Sequence, residues 1–338
     1  MKQIIKWFLK AFVAGVLALA VASAGCLLYY NPGIRQANPS GATDYTWQSN
    51  CFTGGMTEGI AWSYTDANGF YNKDGVDKNM DILVMGSSQM EGRNVFPEER
   101  TAWLLGEMTG KTVYSIGTSG HELLVCVKNL EAALSTMQPS EYVIIEIGSV
   151  EYSAEEIDKC LSGKMETIAS YDRGLLYQMQ KITYLRLVYA QMKSWNGAHQ
   201  EDATVAQTSE AATKNDASPT EAYERLTARI QEVCGTHGVQ PILIYHPNLH
   251  VNADGTVFTD YDPNALNELA SACRVNGVLF VDMTEDFLRL YDAERVLPHG
   301  FCNTAVGAGH LNRRGHQAIA ERLTEVINGH SAETEEKK

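Results

Sequence analysis

Three short segments of the sequence carry side chains and glycines suited to acyl chemistry. The first is Gly86-Ser87-Ser88-Gln89-Met90-Glu91-Gly92, directly after the apolar run Asp81-Ile-Leu-Val-Met85. A serine at a tight strand-to-helix turn projects its hydroxyl beside free backbone N–H groups, which suits a nucleophile; the same residue type also suits an N-cap. The second is Ser115-Ile116-Gly117-Thr118-Ser119-Gly120-His121, where glycines permit close backbone approach and an N–H there could stabilise an oxyanion. The third is Gly309-His310-Leu311-Asn312, just before the last helical pattern. An imidazole there can take a hydroxyl proton and return it to a leaving group near neutral pH. His316 falls inside that helix and reads as structural. Chemistry of this kind needs no cofactor and no metal.

The elements that must position these residues alternate. Asp81–Met85, Thr112–Ile116 and Tyr142–Ile147 read as strands. Between the first two lies a helix with Pro97 near its first turn and Gly110 beyond its end. Between the second and third, Leu123, Val127, Leu130, Leu134 and Met137 recur at helical spacing. A helical pattern then runs over 152–197, followed by a polar stretch over 198–220 that reads as a flexible linker. The alternation resumes with a helix from Pro219, a strand at Pro241–Tyr245, a helix capped by Asp262 and Pro263, a strand at Val278–Asp282, and a last helix from about Asn312 to Ile327. The pattern predicts one α/β domain over 51–330: a parallel five-stranded sheet, doubly wound, interrupted by a helical insertion. A disordered tail is expected over 331–338.

Taken together and in order, the three segments resemble the SGNH, or GDSL, hydrolase family. Gly86-Ser87-Ser88 stands where that family has Gly-Asp-Ser, Gly120 where it has an oxyanion glycine, and His310-Leu311-Asn312 where it has the catalytic histidine. The Gly-Ser-Ser form is also similar to that of the D-alanine transfer proteins of teichoic acid modification. The resemblance implies a three-layer, flavodoxin-like fold with Ser88 as nucleophile, His310 as base, and the Ser88 and Gly120 N–H groups as oxyanion hole. Two departures stand out. Gly307 occupies the place of the acid usually found three residues before the histidine, and Val150 that of the usual oxyanion asparagine. Asp282, at the end of the fifth strand, is the favoured replacement acid; Glu151 and Glu285 are the alternatives.

Other chemistries lack their residues. Met90 ends the Gly-x-Ser-x-Gly pattern of an α/β-hydrolase elbow, no P-loop lysine follows Gly86, and Pro247 breaks any helical pairing of His246 with His250.

Composition places this domain. A net charge of −14 disfavours nucleic acid as a partner. Lys2, Lys6 and Lys10 precede an uncharged stretch from Ala11 to Tyr30, long enough to cross hydrocarbon as a helix. Lysines before the stretch and none just after predict a cytoplasmic N-terminus and an exported domain. Residues 1–30 read as an uncleaved signal anchor and 31–50 as a connecting loop; cleavage near Ala24, or a lipoprotein start at Cys26, is the alternative. The six cysteines beyond the anchor permit disulfides without dictating any, and Cys126, Cys234 and Cys273 fall on helical patterns as small hydrophobes.

These features predict a membrane-anchored, extracytoplasmic serine esterase or O-acyltransferase whose partners are the bilayer and an O-acylated glycan or envelope polymer. The alternative is a non-catalytic envelope-binding protein on the same fold. Oligomeric state, acyl group and acceptor are not encoded in these patterns.

Overall fold

The computed structural model describes residues 2–31, 33–73, 75, 80–167, 185, 188, 219–259, 261–305 and 307–336. The flexible linker and most of the helical insertion expected over 152–220 lie outside the described residues.

Helix α1 spans Lys2–Tyr29, with none of its residues buried. It runs directly into strand β1 (Tyr30–Asn31), which pairs with β4 (Phe52–Gly55), itself paired with β5 (Ala61–Tyr64). Strands β2 (Arg35–Ala37) and β3 (Tyr45–Trp47) form a second small sheet. Residues 31–50, expected as a loop, are therefore partly strand. Tyr45, Trp47 and Tyr71 bury their rings together there, and aromatic burial fixes a segment whose Gly, Asn and Ser content alone predicts none.

The central sheet consists of β6 (Ile82–Met85), β7 (Val113–Ser115), β8 (Tyr142–Ile147), β9 (Gln240–Tyr245) and β12 (Leu279–Asp282), all parallel in the order β12-β9-β8-β6-β7. This is the flavodoxin-like order, in which the sequence of strands reverses between β6 and β8. A crevice forms outside the carboxyl ends of those two strands, where the Ser87-Ser88 turn begins.

The strands are apolar on both faces because both are covered. Leu83, Met85, Val143, Ile145 and Leu243 face one buried layer with helices α4 (Leu123–Met137), α5 (Ala154–Leu161), α6 (Pro219–His237) and α7 (Pro263–Val275). Ile82, Val84, Ile144, Ile242 and Val281 face the other, with α3 (Thr101–Thr109), α8 (Thr284–Glu294) and α9 (Arg313–Glu336). Cys126, Cys160, Cys234 and Cys273 belong to the first layer, and all seven cysteines are free thiols. Helix α9 continues to Glu336, through most of the segment expected to be a disordered tail. A minor hairpin, β10 (Leu249–Val251) with β11 (Val257–Thr259), completes the strands.

Candidate active site

The site is built on the four-residue helix α2, Ser88–Glu91, immediately after β6. Of the two serines that could cap the helix, Ser87 takes that place. Ser87 is the N-cap: it is buried and accepts a hydrogen bond from the Gln89 N–H at 3.3 Å. Ser88 is half-buried, and its hydroxyl has no hydrogen-bond partner among the described residues. As first residue of the helix, its N–H belongs to the set that helix geometry leaves unpaired.

Two buried carboxylates fix α2 in place. Glu146, on β8, accepts the Ser87 N–H at 2.7 Å and faces His246 Nε2 at 2.8 Å. Burial alone would raise its pKa; the hydrogen bond and charge of His246 and the Ser87 N–H outweigh that and hold it low. Behind it the His246 and His299 rings lie 5.3 Å apart, and burial pushes His299 well below the ordinary imidazole range. Glu91 accepts from Trp47 Nε1 and from Ser119 Oγ, tying the helix to β3 and to the loop after β7. Arg100 donates to Gly92 O at 2.9 Å and to Ser63 Oγ at 3.0 Å, tying the end of the helix to β5.

His310 arrives on a loop clamped to the residue next to Ser88. The Gln89 side chain accepts the Leu311 N–H at 2.7 Å and donates to Gly309 O at 3.4 Å, gripping both neighbours of the histidine. The His310 side chain keeps 30% of its surface exposed to solvent.

The acid that meets this histidine is Glu58, in the turn between β4 and β5. One carboxylate oxygen lies 2.7 Å from His310 Nδ1, and the other accepts the His310 backbone N–H, also at 2.7 Å. Burial would raise the Glu58 pKa, but the bonds to His310 and its charge outweigh this and keep the carboxyl below its usual range. Asn94 donates to Glu58 O at 3.2 Å, and Asn303 brackets the same turn, donating to Met56 O at 2.7 Å and accepting the Gly59 N–H at 3.0 Å. Gly309 (φ +88°) is required beside it, because a Cβ there would lie 2.4 Å from Glu58 Oε1.

Asp282, the acid favoured from sequence, is elsewhere. It ends β12, one residue before the α8 N-cap Met283, and its carboxylate accepts the Thr284 N–H at 2.9 Å and the Thr284 hydroxyl at 2.6 Å, a local turn that short acidic side chains commonly make. Glu151 accepts the Asp262 N–H at 3.3 Å, and Glu285 is exposed on the first turn of α8. None of the three bonds to His310 among the described residues. Glu58 had one sequence signal, a lone acid between Gly55 and Gly59 in a hairpin-like segment, but nothing in that segment points to a histidine so distant.

The glycine expected to donate to an oxyanion also changes its surroundings. Gly120 (φ +83°) is exposed in a turn that the His121 N–H closes onto Thr118 O at 3.0 Å. Gly117 is the one that touches α2: a Cβ there would meet Glu91 N and the Met90 carbonyl carbon at 2.5 Å. Glu122, exposed as a residue, turns its carboxyl inward to converge with Glu146 beside Gly148. Desolvation of that carboxyl and the charge of Glu146 push it up to about 7. Val150 is buried, and its carbonyl accepts the Tyr223 hydroxyl.

No family model and no curated protein matches the chain. Among solved structures, a chain assigned as a G-D-S-L-family lipolytic protein from Desulfitobacterium hafniense is 15% identical and covers 73% of this chain and 99% of its own, with a TM-score of 0.39. A chain assigned as an SGNH hydrolase from Slackia heliotrinireducens is 14% identical over 74% of this chain and 100% of its own, with a TM-score of 0.40. An acetyl xylan esterase is 12% identical over 73% and 99%, with a TM-score of 0.41. The likeness to SGNH hydrolases is one of fold. Around this parallel sheet, Ser88, His310 and Glu58 come from three separate regions of the chain, and the crevice at the strand-order reversal is where the first of them lies.

Proposed function

We propose that the protein is a serine esterase or O-acyltransferase, anchored in the membrane by α1 and acting outside the cytoplasm on an ester of a cell-envelope glycan or polymer. The observation that carries this reading is the Glu58 carboxylate 2.7 Å from His310 Nδ1, with His310 held by the residue that follows Ser88. A carboxylate on Nδ1 leaves Nε2 free to act as a base and stabilises the imidazolium that forms.

In this reading Ser88 Oγ attacks the acyl carbon while its proton passes to His310 Nε2. The Ser88 N–H, and the Gly120 N–H if the turn closes on it, receive the oxyanion. Collapse breaks the ester C–O bond, and the imidazolium returns the proton to the departing glycan hydroxyl. The acyl-enzyme on Ser88 is then attacked by water or by a second hydroxyl, with His310 again removing the proton. Buried Glu146, bonded to the Ser87 N–H, keeps the serine turn in register and so acts as a positioning residue. The lysines at the start of α1 support export of the domain.

The test is acyl-enzyme formation: full-length protein in detergent, treated with an alkyl fluorophosphonate and p-nitrophenyl acetate. Covalent labelling and turnover that both disappear in Ser88→Ala and fall sharply in His310→Ala are expected. Absence of labelling in wild type under conditions where it is folded would sink the reading and favour a non-catalytic binding protein.

A further inference from the structure

The hairpin that carries Glu58 has a second face that the catalytic reading does not use. On β4 and β5, Thr53, Ala61 and Ser63 point inward and are buried, whereas Phe52, Trp62 and Tyr64 alternate with them on the outer side. Phe96 packs against Trp62 with ring centroids 6.3 Å apart, and Ile60 extends the face from the turn. Tyr64 is 65% exposed and Ile60 43% exposed, with no other part of the described chain covering them.

This face begins where α1 ends. The Trp62 indole N–H donates to Leu28 O at 2.8 Å, and the Met56 N–H donates to Tyr29 O at 2.7 Å, so the last open carbonyls of the helix are taken by this hairpin. Gly55 eases this approach, since a Cβ there would lie 3.1 Å from Tyr29 O, and Gly54 lets the Trp62 ring lie across β4, since a Cβ there would lie 2.9 Å from Trp62 Cδ1. From Ala11 to Tyr29 the helix rises about 28 Å, the thickness of a hydrocarbon core. If the charged lysines stay in water at one side, Leu28 and Tyr29 reach the opposite hydrocarbon boundary, and Trp62 stands at it. The two residues of β1 add only about 7 Å, so the whole hairpin starts within the headgroup layer. Tyrosine and tryptophan, each with an apolar ring and a polar tip, are the side chains that layer favours.

We propose that the outer face of the β4–β5 hairpin, Phe52, Ile60, Trp62, Tyr64 and Phe96, lies against the lipid headgroup layer of the bilayer that holds α1. The inference rests on the reading of α1 as a membrane anchor. Lipid is favoured over a second copy of the chain because the face is continuous with the apolar helix, so whatever covers it must sit at the bilayer surface.

Full-length protein is reconstituted in phosphatidylcholine vesicles with or without lipids brominated near the top of the acyl chain. The emission carried by Trp62 is the difference between wild type and Trp62→Phe, that of Trp7 on α1 is obtained in the same way with Trp7→Phe, and Trp103 serves as the remote control. Loss of both the Trp7 and Trp62 emission in brominated vesicles, with Trp103 unchanged, is expected. If Trp7 is quenched and Trp62 behaves like Trp103, the face stands off the membrane and the inference fails while the anchor stands. If Trp7 is unquenched, the anchor reading fails and takes this one with it. Should Trp62→Phe not fold, Ile60→Trp adds an indole to the same face and must gain a quenched component. A Trp62 that is unquenched together with a Tyr64→Glu variant that loses self-association would identify a second copy as the occupant and overturn the lipid assignment.

Discussion

Glu58 and His310 are 252 positions apart in the chain and 2.7 Å apart in the fold. The pairing joins the hairpin nearest α1 to the loop before the last helix, so the two ends of the domain meet over the serine turn.

If Glu58 orients the histidine, Glu58→Gln lowers kcat for an ester substrate by about 10³–10⁴-fold, the cost of losing the charged partner of a catalytic imidazole. Asp282→Ala leaves turnover intact and costs about 1 kcal/mol of stability through loss of its hydrogen bonds to Thr284 at the start of α8. Steady-state kinetics and denaturant unfolding of the two variants, side by side, check both statements; comparable loss of activity in Asp282→Ala would reverse the assignment.

Gly309→Ala places a methyl group where Glu58 Oε1 now lies, 2.4 Å from the new carbon, at a backbone φ of +88°. The variant is expected to lose activity nearly as far as Glu58→Gln and to be strained by roughly 1–3 kcal/mol. Circular dichroism with kinetics separates displacement of the acid from collapse of the domain.

The Glu146–His246 pair predicts a stability effect of a different size. Both side chains are buried, and His246→Ala leaves the Glu146 carboxylate without its partner. A loss of about 3–5 kcal/mol follows for an orphaned buried charge, measured as a fall in the urea midpoint. A change below about 1 kcal/mol would show that Glu146 is held by other means.

Glu122 gives a pH signature. Its folded-state pKa, pushed up to about 7, lies above the ordinary carboxyl value, so the folded protein holds this proton more tightly than the unfolded chain does. The sign is therefore destabilising as pH rises: nothing is lost below the unfolded pKa, and stability declines as pH climbs from about 5 to 7. Glu122→Gln removes the group, and its melting temperature should gain on wild type progressively across that interval. Parallel melting curves at pH 5 and pH 8 would contradict the shift.

Much of the scaffold was legible in the sequence for definite reasons. The helix at Leu123–Met137 and the strand at Tyr142–Ile147 have the bounds their patterns indicate, because a fully buried strand and a one-sided helix leave unambiguous apolar spacings. Asp262 and Pro263 begin α7 as cap and first residue, a local rule that needs no tertiary information. Ser88 and His310 are placed where strand ends and helix starts converge. The carboxylate that meets His310 was not legible, since Glu58 lies between two short strands in a region packed around buried Tyr45, Trp47 and Tyr71 rather than on any period. Asp282 had the right chain position but a nearer use: its own helix start claims the carboxylate. Gly120 and Gly117 are two of a kind in sequence, and only the approach of Gly117 to α2 distinguishes them.

The hairpin holding Glu58 is made early in synthesis, and the loop holding His310 is among the last parts to emerge. A chain still being made therefore carries Ser88 and Glu58 before His310, and the Glu58–His310 contact closes only when the segment leading into the final helix docks. On the proposed reading, a chain that stops upstream of that loop keeps α1 and the Glu58 hairpin but has no imidazole beside Ser88, so ester cleavage would have to wait for the last segment to dock.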